Sequence, residues 1–288
     1  MLYLQILANG LMLGGLYACI GAGFSLVWGV LNVINILHGS FIVLGGYLAF
    51  YAYSVAGIHP FFSLLIAAPV FFALGYIVQS GLVNRMIGAP VLLTLTLTFG
   101  LDLMLSNGML AAFTADFKKV SLDPPLGAVL AGPVVLPVDR LIAMVLALAL
   151  VGLLYLTLSR SRIGRAIVAV RMDREAAALM GVRVKTVYAI TFGLGALMAG
   201  VSGPLLAMIF PISPLSGSAY LSKAFVVCVL GGLGSVPGAL VGGLALGLAE
   251  SFGSLWLGPE HATTLSFVLL ILILLVRPEG LLGRKGYA

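Results

Sequence analysis

Two carboxylates, Asp102 and Glu250, sit inside long apolar runs and are the residues whose placement most needs a chemical reason. A charge in hydrocarbon is costly, so an acid there is a functional candidate. Asp102 falls near mid-run. Glu250 falls near the outer end of its run, where water is expected to reach it, and proton coupling through the two is one chemistry they allow. Lys223 lies just inside a helix start and is expected to reach the interface with its long stem. Asn32, Asn35 and His38 form a second polar group, in VLNVINILHG. Asn35 and His38 share a face if that segment is helical. These three either cap a helix break and bond a neighbouring helix, or line a polar pathway. Thr94 and Thr98 pose the same choice, between hydroxyls bonded to their own turn and pathway lining.

Enzyme chemistry finds no support in the motifs. His38 has no second His, Cys or carboxylate near it in sequence, so neither a metal nor a catalytic role is expected. There is no G-x-S-x-G, no H-E-x-x-H and no paired cysteine ligand set. GGLGSVPG lacks the Lys-Ser/Thr of a phosphate loop. No cofactor is expected. Cys19 and Cys228 both fall in apolar runs and read as small buried hydrophobes.

The elements that must position these groups are membrane spans. The chain has 288 residues, 61% apolar and only 8% charged, with a mean hydropathy of +1.20. Soluble domains carry about 25% charged residues. Apolar runs over 4–30, 39–56, 61–83, 89–113, 141–158, 187–210, 220–233, 239–256 and 264–276 predict eight or nine crossings of about 20 residues each. The run at 220–233 is short and could be half of a broken span. Glycine clusters such as Gly10, Gly14 and Gly15, or Gly242, Gly243 and Gly247, suit close helix packing where lipid supplies no hydrophobic drive. Two stretches, 30–39 and 231–238, read as broken helices, tolerated at membrane depth only where protein or water covers them. The Thr94–Thr98 segment is expected to be helical, entered by a short non-helical piece. Residues 114–139, with Pro124, Pro125, Pro133 and Pro137, read as an irregular external loop. The expected fold is all-α: a polytopic bundle with discontinuous helices, one membrane domain over 1–288.

One long polar stretch interrupts the apolar chain. Arg160, Arg162, Arg165, Arg171, Arg174, Arg183 and Lys185 are seven of the 15 basic residues. Such clusters stay on the cytoplasmic side, which also puts Arg277, Arg284 and Lys285 inside and, for nine crossings, the N-terminus outside. The net charge of +6 is thereby a matter of orientation and anionic lipid, not of nucleic acid. Within 160–185 a short helix has clear ends. Asp173 can accept from the amides of its first turn and Gly181 can take the left-handed position at its end. Glu175, Ala176, Ala177, Leu179 and Met180 lie between. A small apolar helix held in water between spans suits docking into a cytoplasmic partner. No soluble domain fits between the spans, so an ATPase or ligand-binding domain would be a separate chain.

These residues resemble a known family, the permease subunits of bacterial ABC importers of the branched-chain amino-acid (Liv) type, and are similar to the first of that system's two permeases. The resemblance is carried by GFSLVWGVLNVINILHGSFIVLGGYLA, APVLLTLTLTFGL, SRIGRAIVAVRMDREAAALMGV, and KAFVVCVLGGLGSVPGALVGGLALGL with the closing RPEGLLG. It implies an all-helical fold related to sugar permeases, placement in the inner membrane, and a coupling helix in 164–182 that docks on an ATPase. The coupling residues would be Arg165, Arg171, Asp173, Glu175, Ala176, Ala177, Met180 and Gly181. Glu175-Ala176-Ala177-x3-Gly181 echoes the importer EAA motif, although the usual downstream Ile-x-Leu-Pro is absent. It further implies two ATPases, a second permease and an external solute-binding protein, with solute passing between the permeases. Asn32, Asn35, His38, Thr94, Thr98 and Asp102 are the pathway candidates. The alternative is an ion-coupled carrier or channel that uses Asp102 or Glu250 and needs no ATPase.

Overall fold

In a computed structural model the chain is described over residues 2–88, 90–123, 125–132, 134–258, 261–277 and 279–283. Pro124, Pro133, Arg284 and Lys285 lie outside these described residues. The apolar runs become helices because lipid offers the backbone no partner, so each span must bond within itself. In chain order they are α1 (Leu2–Leu31), α2 (Leu37–Ala56), α3 (Pro60–Gly81), α4 (Val91–Phe113), α5 (Val138–Arg160), α6 (Arg162–Met172), α7 (Arg174–Leu179), α8 (Val184–Ile209), α9 (Gly217–Gly231), α10 (Val236–Leu257) and α11 (Ala262–Val276). Among the described residues eight helical segments are long and apolar enough to cross a membrane, and α11 is a shorter apolar helix. Among the described residues α4 is helical from Val91, with an extended Pro90 before it.

Two ends of the bundle can be told apart by contacts. At the first, Gln5 of α1 exchanges two 2.8 Å hydrogen bonds with the backbone of Val135. Val135 belongs to an antiparallel hairpin of β1 (Ala128–Ala131) and β2 (Val134–Pro137). The 114–139 segment is therefore partly ordered, not wholly irregular: Val134-Val135-Leu136 supply the β-branched and apolar residues that a strand favours. At the opposite end lie α6 and α7. Helix α1 runs from the hairpin end to this loop end, where Gly29 abuts Gly234. The closing residues return here too: the amides of Leu281 and Leu282 donate to Leu230 and Gly231. First and last helices therefore start and finish at opposite ends, as an odd number of passes requires.

Helices α1 and α8 form the centre, with 89% of their most apolar stretches buried, whereas the figure for α4 is 11%. Small residues set the spacing. A side-chain carbon added to Gly243 would collide with the backbone of Ala18, and one on Gly39 with the carbonyl of Gly217. The first contact lets α10 lie directly on α1. The second joins two helix starts, because α2 and α9 both begin part-way through the bundle. His38, second residue of α2, bonds Ile20 in the interior of α1, and α9 begins beside it. The segment 32–36 leads into α2 from the loop end, and 210–216 leads into α9 from the hairpin end.

Candidate functional site

The break before α2 gathers a group of polar residues from α2 and α4. Asn32 takes a positive φ of 52°, a conformation Asn tolerates better than most residues, and this ends α1. The irregular piece that follows leaves backbone groups to be satisfied, and α4 satisfies two of them. Thr98 Oγ1 donates to the carbonyl of Ile34 at 2.9 Å and accepts from the amide of Ile36 at 3.5 Å. One turn further along α4, Asp102 Oδ1 accepts from the hydroxyl of Ser40. His38 Nε2 lies 3.1 Å from the carbonyl of Ile20, so this nitrogen carries the hydrogen and Nδ1 is a bare acceptor. Among the described residues Nδ1 has no partner, and neither do the two side-chain amide atoms of Asn35, a residue only 1% exposed. No side chain caps α2. Asn35 and His38 do not share a helical face, since Asn35 precedes the helix. Asn32 is exposed at the break, and Thr94 bonds back to Val91 within its own turn.

A second polar group lies among α1, α9, α10 and α11. Lys223 Nζ donates to both oxygens of Glu250 at 2.9 and 2.8 Å, and to Tyr17 Oη at 2.6 Å. Tyr17 in turn donates to Glu250 Oε2 at 2.6 Å, and Ser266 Oγ donates to Oε1 at 2.6 Å. The ammonium also stands 4.5 Å from the centre of the Tyr17 ring. Glu250 is 5% exposed. Both expectations for these residues are corrected: water does not reach Glu250, and Lys223 does not reach the interface. Opposite charges on neighbouring helices bind each other in preference to either climbing to water, because pairing offsets most of the desolvation.

The polar loop folds as two short helices. Ser161 accepts from the amide of Gly164 at 2.8 Å and starts α6, which buries Gly164, Ile167 and Val170 and leaves Arg165 outward. Arg171 turns back on the bundle: Nη1 donates to the carbonyl of Gly234 at 2.8 Å. That bond ties the loop to the break at 232–235, beside a cleft of about 710 Å³ lined in part by Leu26, Val30, Arg171 and Glu279. Six-residue α7 is too short to persist by propensity, so its ends must hold it. Asp173 Oδ1 accepts from Glu175 and Ala176 amides at 2.8 and 3.0 Å. At the far end Gly181 has φ +83°. Its amide reaches Ala178 and that of Val182 reaches Ala177, both at 3.0 Å, the paired closure of a Schellman turn. Ala177 is buried against the bundle, while Leu179 and Met180 are 89% and 84% exposed.

Comparison with known proteins decides the family. The model of the branched-chain amino acid transport system permease component matches residues 6–276. The chain belongs to this permease family. A high-affinity branched-chain amino acid transport permease of Pseudomonas aeruginosa, BraD, is 36% identical over 98% of this chain and 96% of its own length. The LivH permease of Escherichia coli K12 is 34% identical over the same shares. A fructose import permease of Rhizobium meliloti, FrcC, is 31% identical over 46% of this chain and 39% of its own. No solved structure matches. The permease is thus a multi-pass membrane protein and a component of a transport system. Of its candidate residues, the structure brings Asn35, His38, Thr98 and Asp102 together around one break and sets the loop residues apart at the loop end. Tyr17, Ser40 and Ser266 were not foreseen. Each is a common residue in an apolar run, and only its spatial neighbour gives it a role. Lys223 and Glu250 did carry a signal, as two opposite charges both inside apolar runs.

Proposed function

We propose that this permease is the membrane subunit of an ABC importer in the bacterial inner membrane, for branched-chain amino acids or a related small polar solute. It would work with two ATPases, a second permease and an external solute-binding protein, and perform no chemistry of its own. The observation that carries the coupling role is α7: a doubly capped helix with Leu179 and Met180 standing clear of the bundle. Large apolar residues held this far out on a water-facing loop fit a partner's cleft, and positive-inside asymmetry supports a cytoplasmic position for 160–185. ATPase closure would move α7. The Arg171–Gly234 bond gives that motion a route to the break at 232–235 and to the end of α1. The hairpin end, with 114–139, would face the binding protein. Solute would pass by the break before α2, along Asn32, Asn35, His38, Thr94, Thr98 and Asp102.

Two substitutions test this. Gly181→Arg places a Cβ and a long side chain at a positive φ, and Glu175→Arg reverses a charge on α7. Both variants are expected to reach the membrane, to lose ATPase subunits on purification, and to lose ATP-driven uptake in proteoliposomes. Full uptake by both, or uptake by this chain alone without ATP, would sink the assignment and favour an ion-coupled carrier.

A further inference from the structure

Asp102 has no structural partner that accounts for its charge. Eleven residues of α4 precede it and eleven follow, so it stands roughly 16 Å along the axis from either end. Ser40 gives it one hydrogen bond, and among the described residues no Lys, Arg or His pairs with it. It is partly exposed, on the span with the smallest buried share. A carboxylate at that depth cannot face hydrocarbon without a large cost, so its open side meets a polar pathway or another protein chain.

The surroundings favour the pathway. Within one turn of Ser40 the start of α2 is uncapped, and both amide atoms of the buried Asn35 side chain have no partner. Unused hydrogen-bonding capacity at a covered site is rare, because each such group costs about 1–3 kcal/mol. An acid on one side, with amide donors and a helix N-terminus on the other, is complementary to a molecule carrying both an ammonium and a carboxylate.

We propose that Asp102 receives the solute's ammonium group as solute passes the break before α2, so that the pathway selects solutes with a protonated amine and turns away simple organic anions. The solute's carboxylate would face the first turn of α2 and Asn35 once α2 shifts, since both are buried in this structure. This rests on the importer assignment and adds to it the charge of the solute.

The test uses the whole importer in proteoliposomes: both permeases, the ATPases and loaded binding protein. ATP-driven uptake of leucine, isoleucine and valine is measured beside stimulated ATP hydrolysis, for the parent chain, Asp102→Asn and Asp102→Glu. Losing one charged hydrogen bond to the solute should lower uptake by Asp102→Asn about tenfold, while hydrolysis continues and the complex stays whole. Asp102→Glu should restore most of the uptake. Unchanged uptake in Asp102→Asn would overturn the proposal. So would loss of the second permease from the purified complex, which would make Asp102 a subunit contact. A parent importer that takes up none of the three amino acids would instead remove the importer assignment for this solute class.

Discussion

Glu250 and Asp102 are both acids within membrane spans, and the chain treats them oppositely. Glu250 is enclosed, with an ammonium on both oxygens and hydroxyls of Tyr17 and Ser266 completing its shell. Asp102 keeps one hydroxyl and an open side. A buried charge that is fully answered is spent on structure: it fixes α9, which starts part-way through the bundle, against α1, α10 and α11. A charge left partly unanswered keeps its capacity for something that arrives later. The two acids therefore separate a scaffold role from the solute-binding role proposed for Asp102.

The largest expected break in this comparison comes from Lys223→Met. Glu250 would stay buried without its counter-ion, and removing one partner of a buried pair costs about 3–5 kcal/mol. Thermal unfolding in detergent should show a marked fall in the melting temperature. Adding Glu250→Met should recover most of it, since apolar replacement of both partners is often neutral. A single variant as stable as the parent would mean that the pair does not hold α9. Tyr17→Phe is a smaller cut. It removes a donor to Glu250 and an acceptor for Lys223 but keeps the ring under the ammonium, so a loss of about 1–3 kcal/mol is expected by the same melting measurement.

The sequence made some of this legible and hid the rest for physical reasons. Spans follow from hydropathy, because lipid leaves the backbone no alternative to helix, and the two breaks follow from Asn, Gly and Pro density. The ends of α7 were readable because caps are local: Asp173 and Gly181 act within three residues of themselves. The pairing of Lys223 with Glu250 spans 27 residues and two helices, and no local rule joins them. Each residue read alone suggested an escape to water. The hairpin at 128–137 was obscured by its prolines, although Pro137 sits at a strand end where its missing N–H does no harm. Asp102 stood out as a mid-span acid, but only the fold places Ser40 against it.

The smallest expected effect is on stability at Asp102 itself, and it completes the contrast with Glu250. Asp102→Asn keeps the side chain's shape and can still accept from Ser40, and the position is partly exposed. Ser40→Ala removes the same bond from the other side. Each should change the melting temperature of the complex little, a loss of roughly 1 kcal/mol or less. If Asp102 served the scaffold as Glu250 does, both variants would melt early and uptake would fall because the protein is unstable. Full stability in Asp102→Asn combined with reduced uptake separates the two acids, since a group that can be neutralised without harm to the fold is held charged for what passes it.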